Sequence, residues 1–207
     1  MPRYQIKAYS RAELDAMANP GTARQPEAFA DEIWDTQNFV NASTTVLTFF
    51  QAASSDKTLT NIDAGAILAN PQYFLLHYLT VDFLFPAVTD AAQPAGNLND
   101  VHILTNLARA TVVLNIATKP YGPWRLRSCH SAGAPVGFLQ GGAAAPAAVQ
   151  YGHLGPHDGG FCINGGLIIP PMTNFNAIIQ FAGVQTLNTN NLPIQVGLYG
   201  VRYRKVA

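Results

Sequence analysis

Residues 73–85 (YFLLHYLTVDFLF) constrain the fold more than any other stretch of this chain. Asn70-Pro71 breaks the chain just before them. Read as a strand, Phe74, Leu76 and Tyr78 oppose Tyr73, Leu75 and Leu79, so both faces are apolar. Such a strand is buried on both sides, or its outer face meets a partner. His77, Asp82 and Pro86 interrupt the run, which falls short of the ~18 apolar residues of a membrane-spanning helix, so no membrane partner is expected.

The rest of the chain repeats the β signature. Residues 44–50 (TTVLTFF) are rich in β-branched and aromatic side chains. Residues 54–56 make a turn and 58–62 a short strand. Residues 98–107 fit a short helix with Leu98, Val101, Ile103, Leu104 and Leu107 roughly on one side. Residues 109–118, 124–127, 161–169, 177–183 and 194–204 read as further strands, with Pro170-Pro171 and Asn190-Asn191 at turns. The last places Ile194, Val196, Leu198 and Gly200 on one face, and Arg202 and Arg204 continue that register.

About eight to ten strands, little helix and no βαβ alternation point to two packed antiparallel sheets. The fold class expected is therefore all-β, an antiparallel β-sandwich. An eight-stranded jelly roll fits the strand number and turn spacing. An immunoglobulin-like topology is disfavoured, because the Cys…Trp…Cys pattern is missing. The 207 residues suit one such domain.

The N-terminal segment reads differently. Residues 3–9 (RYQIKAY) alternate, with Tyr4, Ile6 and Ala8 on one face, as in a short strand or extended arm. Ser10 and Glu13 form a capping box for a helix to about Met17, which stops at Asn19-Pro20-Gly21. Residues 20–42 look irregular and acidic, a surface helix or loop, or an arm that docks on a basic patch of a neighbour. The chain thus divides into an arm with a short helix (1–42) and a sandwich domain (43–207). Within the second lies a Gly/Ala/Pro-rich loop at 131–160, longer than the ~12–15 residues of ordinary connections. Deleting residues 1–35 is expected to leave a folded sandwich that no longer assembles. The N-terminus lacks the basic-then-apolar signal-peptide pattern, so production in a cytoplasm is expected.

Charge adds the next constraint. Only 12% of residues are charged and the net charge is zero, against about 25% charged in an average domain. Disorder is excluded by a hydrophobic content of 48%. A nucleic-acid partner is not expected without a basic excess. The neutrality hides an asymmetry: residues 1–100 hold 5 basic and 11 acidic side chains, and residues 101–207 hold 7 basic and 1 acidic. In the 74 residues 128–201, Asp158 is the one formal charge. Free monomers cover themselves with charges, so this stretch suggests surface that another chain covers. Two cysteines, Cys129 and Cys162, make no disulfide framework.

No catalytic constellation stands out. His153, His157, Asp158 and Cys162 are zinc-ligand types. However, Gly152, Gly155 and Pro156 discourage the helix that would align the two histidines, and a polar loop is expected. Cys129 and His130 resemble a nucleophile and base, but adjacent strand residues point to opposite faces. His77 and His102 lie in apolar contexts. Asp82 is expected to pair with neighbouring backbone or an arginine. No P-loop, G-x-S-x-G or dinucleotide fingerprint occurs. No cofactor is expected. The cluster Arg202-Tyr203-Arg204-Lys205 reads as a solvated strand end, or as an intersubunit partner of the acids between Glu27 and Asp35.

The N-terminal arm, the Asn/Thr/Gly-rich strands and the closing strand at 196–204 (VGLYGVRYR) resemble virion structural proteins of tailed bacteriophages. The chain is similar in style to jelly-roll cement, or decoration, proteins of capsid shells and to small jelly-roll capsid proteins. The resemblance implies a non-enzymatic protein of the virion, assembled in the host cytoplasm. It also implies a dimer or trimer that clamps neighbouring capsomers, or the major capsid protein, by non-covalent contacts. Interface anchors expected on this basis are Tyr4, Ile6, Tyr9, Trp34 and Phe39, with Arg202 and Arg204, since aromatics and arginine favour interfaces. Two other functions compete. One is a carbohydrate- or receptor-binding module of a virion with Trp124, Tyr121 and Tyr151 as an aromatic platform. The other is a cupin-like metalloenzyme using His153, His157 and Cys162.

Overall fold

The computed structural model describes residues 12–13, 27–51, 56–62, 65, 67–84, 100–129, 160–188 and 191–204. Tyr4, Ile6 and Tyr9, most of the expected first helix, and the 131–160 loop except Gly160 lie outside the described residues.

Eight strands follow in chain order: β1 (Glu27–Val40), β2 (Val46–Phe49), β3 (Tyr73–Phe83), β4 (Thr111–Ile116), β5 (Lys119–Arg125), β6 (Phe161–Ile169), β7 (Phe175–Gln180) and β8 (Asn191–Arg204). They form two four-stranded sheets, β1-β8-β3-β6 and β2-β7-β4-β5. All pairings are antiparallel. Strand β1 pairs with β8, β2 with β7, β3 with β6 and β4 with β5, as in one long hairpin. Contacts β8·β3 and β7·β4 roll that hairpin into two layers. This is the jelly-roll arrangement.

The sheets bury their facing sides against each other. From the first sheet come Ile33, Phe39, Phe74, Leu76, Leu79, Val81, Ile194, Val196 and Leu198. From the second come Phe49, Val112, Leu114, Phe175, Ala177 and Ile179. Phe39 meets Phe181 edge-to-face at 5.0 Å between centroids. Helical turns over residues 100–107, ending in a π turn at Ile103–Leu107, close one end of the core with Val101 and Leu104.

Three sequence expectations change. First, residues 27–40 are not arm but a full edge strand, paired from Glu27↔Arg204 to Val40↔Asn191. The sandwich therefore begins before residue 43, and deleting residues 1–35 removes most of β1. The alternation is hard to read because the inward positions Asp31 and Asp35 are charged. Second, residues 58–62 form no strand but a single bridge, Asp35↔Thr60. Asn61 imitates a strand there: its side chain accepts the Trp34 N–H at 2.9 Å and donates to the Glu32 carbonyl at 2.6 Å. This shields the outer edge of β1, the sort of edge that otherwise recruits other chains. Third, β3 is irregular between Leu76 and Tyr78. The bulge at His77 flips the alternation, so Leu79 joins Phe74 and Leu76 on the core side.

Candidate interaction surface

The formal charges divide cleanly between the sheets. The β1-β8-β3-β6 sheet carries five carboxylates (Glu27, Asp31, Glu32, Asp35, Asp82) and two guanidinium groups (Arg202, Arg204). The other sheet carries two charges, Lys119 and Arg125, both basic and both on β5.

Within the first sheet most of the charges are satisfied internally. Beyond the core, the inward sides of β1 and β8 hold Glu27, Phe29, Asp31, Arg202 and Arg204. Arg204 Nε lies 2.6 Å from Glu27 Oε2 and its guanidinium stands over the Phe29 ring at 5.3 Å. Arg202 Nε pairs with Asp31, and its Nη1 donates to Gln72 Oε1 at 3.2 Å. Arg202 and Arg204 thus reach the acids anticipated for them, but within one chain. Glu27 holds the Arg204 pKa above its ordinary value through a hydrogen bond and its charge. Asp35 is buried at the centre, where Oδ2 accepts the Phe50 N–H at 2.6 Å and bonds the Gln37 amide at 3.2 Å.

Glu32 and Asp82 lie on the outer face. Cross-strand register puts Glu32, Tyr199 and Tyr78 in one row, Trp34, Gly197 and Thr80 in the next, and Thr36, Gln195 and Asp82 in a third. Gly197 has no side chain, and that space is taken by its neighbours. A Cβ there would lie 2.6 Å from Thr80 Oγ1, 2.9 Å from Tyr199 Cε2 and 3.2 Å from Glu32 Oε1. A hydroxyl, a phenol ring and a carboxylate thus converge over one backbone position. Burial pushes the Asp82 carboxyl up to about 6, and the Glu32 charge adds to it. The Asp82 carboxyl is therefore governed first by desolvation and then by a like charge. Burial, a hydrogen bond with Glu32 and the charges of Glu32 and Asp82 hold the Tyr199 phenol well above its usual range. Beside this cluster the bulge opens a shallow depression of about 420 Å³ walled by Asp31, Glu32, His77, Tyr78 and Tyr199.

The outer face of the second sheet is chemically opposite. Its rows read Thr48, Ile178, Val113; then Val46, Gln180, Thr111, Arg125; then Asn176, Asn115, Pro120. Asn115 Nδ2 donates to Asn176 Oδ1 at 2.8 Å. Away from the β5 edge, this face is uncharged and built from Thr, Val, Ile, Asn and Gln. Val46 is 48% exposed. The β5 edge carries Lys119, Arg125, Pro120 and Pro123, residues that discourage strand addition. Arg127 follows it, also exposed.

The other anticipated residues fall as follows. Phe39 is fully buried core and not an interface anchor; its position on β1 alternates with outward residues. Trp34 is half-buried on the outer face of β1. Trp124 and Tyr121 pack against the core, Trp124 stacking on Phe161 at 4.8 Å, and form no outward platform. Tyr151, His130, His153 and His157 lie outside the described residues. Cys162 is exposed on β6, with Sγ 3.5 Å from Asn164 Oδ1. Cys129 is buried, and burial pushes its thiol up to about 12, away from the thiolate a nucleophile needs. Among the described residues no group of three or more His, Cys, Asp or Glu is placed to hold a metal ion. Among them, too, no helix is long and apolar enough to cross a membrane.

The Glu32–Asp82–Tyr199 cluster escaped sequence reading, because its members lie on three strands far apart in the chain. No protein-family model matches the chain, and no characterised protein or solved structure matches it.

Proposed function

We propose that the chain is a non-enzymatic structural protein of a virion, a jelly-roll subunit that self-associates and binds a capsid shell as a cement or small capsid component. The observation that carries this reading is the uncharged outer face of the β2-β7-β4-β5 sheet. Three adjacent strands, β2, β7 and β4, present Val46, Thr48, Thr111, Val113, Asn176 and Ile178 with no formal charge before the β5 edge. Depletion of charge with retained polar hydrogen-bonding groups is the composition of interface centres. A rigid sandwich behind such a face holds it flat, and repetition across a lattice multiplies weak contacts into stability. The jelly roll is a scaffold shared by capsid proteins, lectins and cupins, so the face and not the fold carries the assignment.

Lysine placed at Val46 and Ile178 tests it. Both side chains point away from the core, so the variant should melt as the parent does. Its self-association and its sedimentation with shells should fall by at least about tenfold. Unchanged association would remove this face from the assembly and with it the support for the reading.

A further inference from the structure

Sorting the charges by sheet and by face gives two patches of opposite sign on one molecule. On the outer face of the β1-β8-β3-β6 sheet the formal charges are Glu32 and Asp82, while Glu27, Asp31 and Asp35 lie on the inward side of β1. Along the far edge of the other sheet stand Lys119, Arg125 and Arg127, all exposed. Residues 101–157 contain no Asp or Glu at all, so no acid within that run neutralises this edge.

The acidic patch has a shape as well as a sign. The depression beside Glu32 is walled by the rings of Tyr78 and Tyr199. A carboxylate beside aromatic faces suits a guanidinium or ammonium group, which gains from both. Glu32 lines the depression together with both tyrosines, and its Oε1 lies 3.2 Å from where a Cβ on Gly197 would stand.

We infer that the basic β5 edge of one copy docks on the Glu32 face of a second copy, an Arg125 or Arg127 side chain entering the tyrosine-walled depression. The two patches differ, so the contact is head-to-tail. Such contacts generate rings or extended arrays in place of closed two-fold dimers. The inference rests on the self-assembly reading above and supplies a contact that the neutral face of the other sheet does not. Opposed charges give this contact register and encounter rate more than affinity, so its signature is strong salt dependence.

The full-length chain provides the test through paired charge reversals, read by sedimentation velocity at low salt and at ~1 M salt, where screening shrinks to about 3 Å. Glu32→Lys removes the recipient face and keeps the basic edge. Arg125→Glu with Arg127→Glu does the converse. Each variant, shown to be folded by its thermal melt, should lose the salt-sensitive association of the parent. Glu32→Gln, which keeps the shape, should weaken it less. Mixed in equal amounts, the two reversed proteins should regain salt-sensitive association, because the retained patches complement each other and so do the two reversed ones. Association of either reversed variant like the parent, or a mixture that stays monomeric, overturns the contact. If the parent assembles but salt and the reversals leave it unchanged, this contact fails and the neutral face alone carries assembly. A parent monomeric at every concentration and salt overturns both.

Discussion

The Asp35 carboxylate accepts the Phe50 backbone N–H at 2.6 Å, tying the middle of β1 in one sheet to the end of β2 in the other. Phe50 holds a left-handed conformation, φ 66°, that a residue with a Cβ rarely adopts. Its side chain is fully buried and tilts against Phe175 at 5.5 Å. Removing the acceptor strands a buried donor. Asp35→Ala should cost about 1–3 kcal/mol in denaturant unfolding, and Asp35→Asn, which keeps an amide oxygen, clearly less. Equal losses for both would show that the bond to Phe50 contributes little.

Asp82 works in the opposite direction. Its folded pKa is raised from 3.8 to about 6. The ionised form is therefore disfavoured in the native state, and the stability it withholds is fully restored only below the unfolded value. The penalty is in force above pH 6 and vanishes as pH falls to about 4; its size is on the order of 2–3 kcal/mol. Asp82→Asn should raise the melting temperature at pH 7.5 by roughly 4–10 °C, with the gain shrinking to nothing near pH 4. A melting temperature lowered equally at both pH values would mean that Asp82 is stabilising where it stands.

Two glycines make a controlled pair. A Cβ at Gly200 would lie 2.0 Å from the Leu75 carbonyl oxygen, backbone of the paired strand beside the bulge. A Cβ at Gly183 meets nothing within 4 Å. Gly200→Ala should lose about 2–3 kcal/mol, because β3 and β8 must separate locally. Gly183→Ala should stay within about 0.5 kcal/mol of the parent. Thermal melts of the two variants decide it, and a tolerated Gly200→Ala would contradict the close pairing.

Truncations locate the boundary of the sandwich. Every β1–β8 pair lies at or after Glu27. A chain beginning at Glu27 keeps every one of these pairs and should fold with a cooperative melting transition. A chain beginning at residue 41 loses β1, bares the length of β8, and removes Ile33 and Phe39 from the core; it should be insoluble or unfolded. A stable, cooperative fold from the shorter chain would return β1 to the status of an arm.

Much of this architecture was legible. Residues 161–169 read as a strand bounded by Gly160 and Pro170, and β6 spans Phe161–Ile169. Ile194, Val196 and Leu198 announced the inner face of β8. The jelly roll followed from strand number and spacing, since local alternation survives wherever one face meets the core. β1 was lost for a physical reason: its inward acids answer partners some 170 residues away (Glu27 with Arg204, Asp31 with Arg202) or a buried amide at Phe50. The same register puts Phe39, which reads as an exposed anchor, into the core. The Glu32–Asp82 pairing and the tyrosine-walled depression depend on the His77 bulge and on Gly197, neither of which a single strand's pattern reveals.

Self-association is the central claim, and the mass of the full chain against concentration tests it most directly. Sedimentation equilibrium should give a mass that rises above the 22.2 kDa of one chain toward a defined multiple as concentration increases. A constant 22.2 kDa at every concentration would contradict the account.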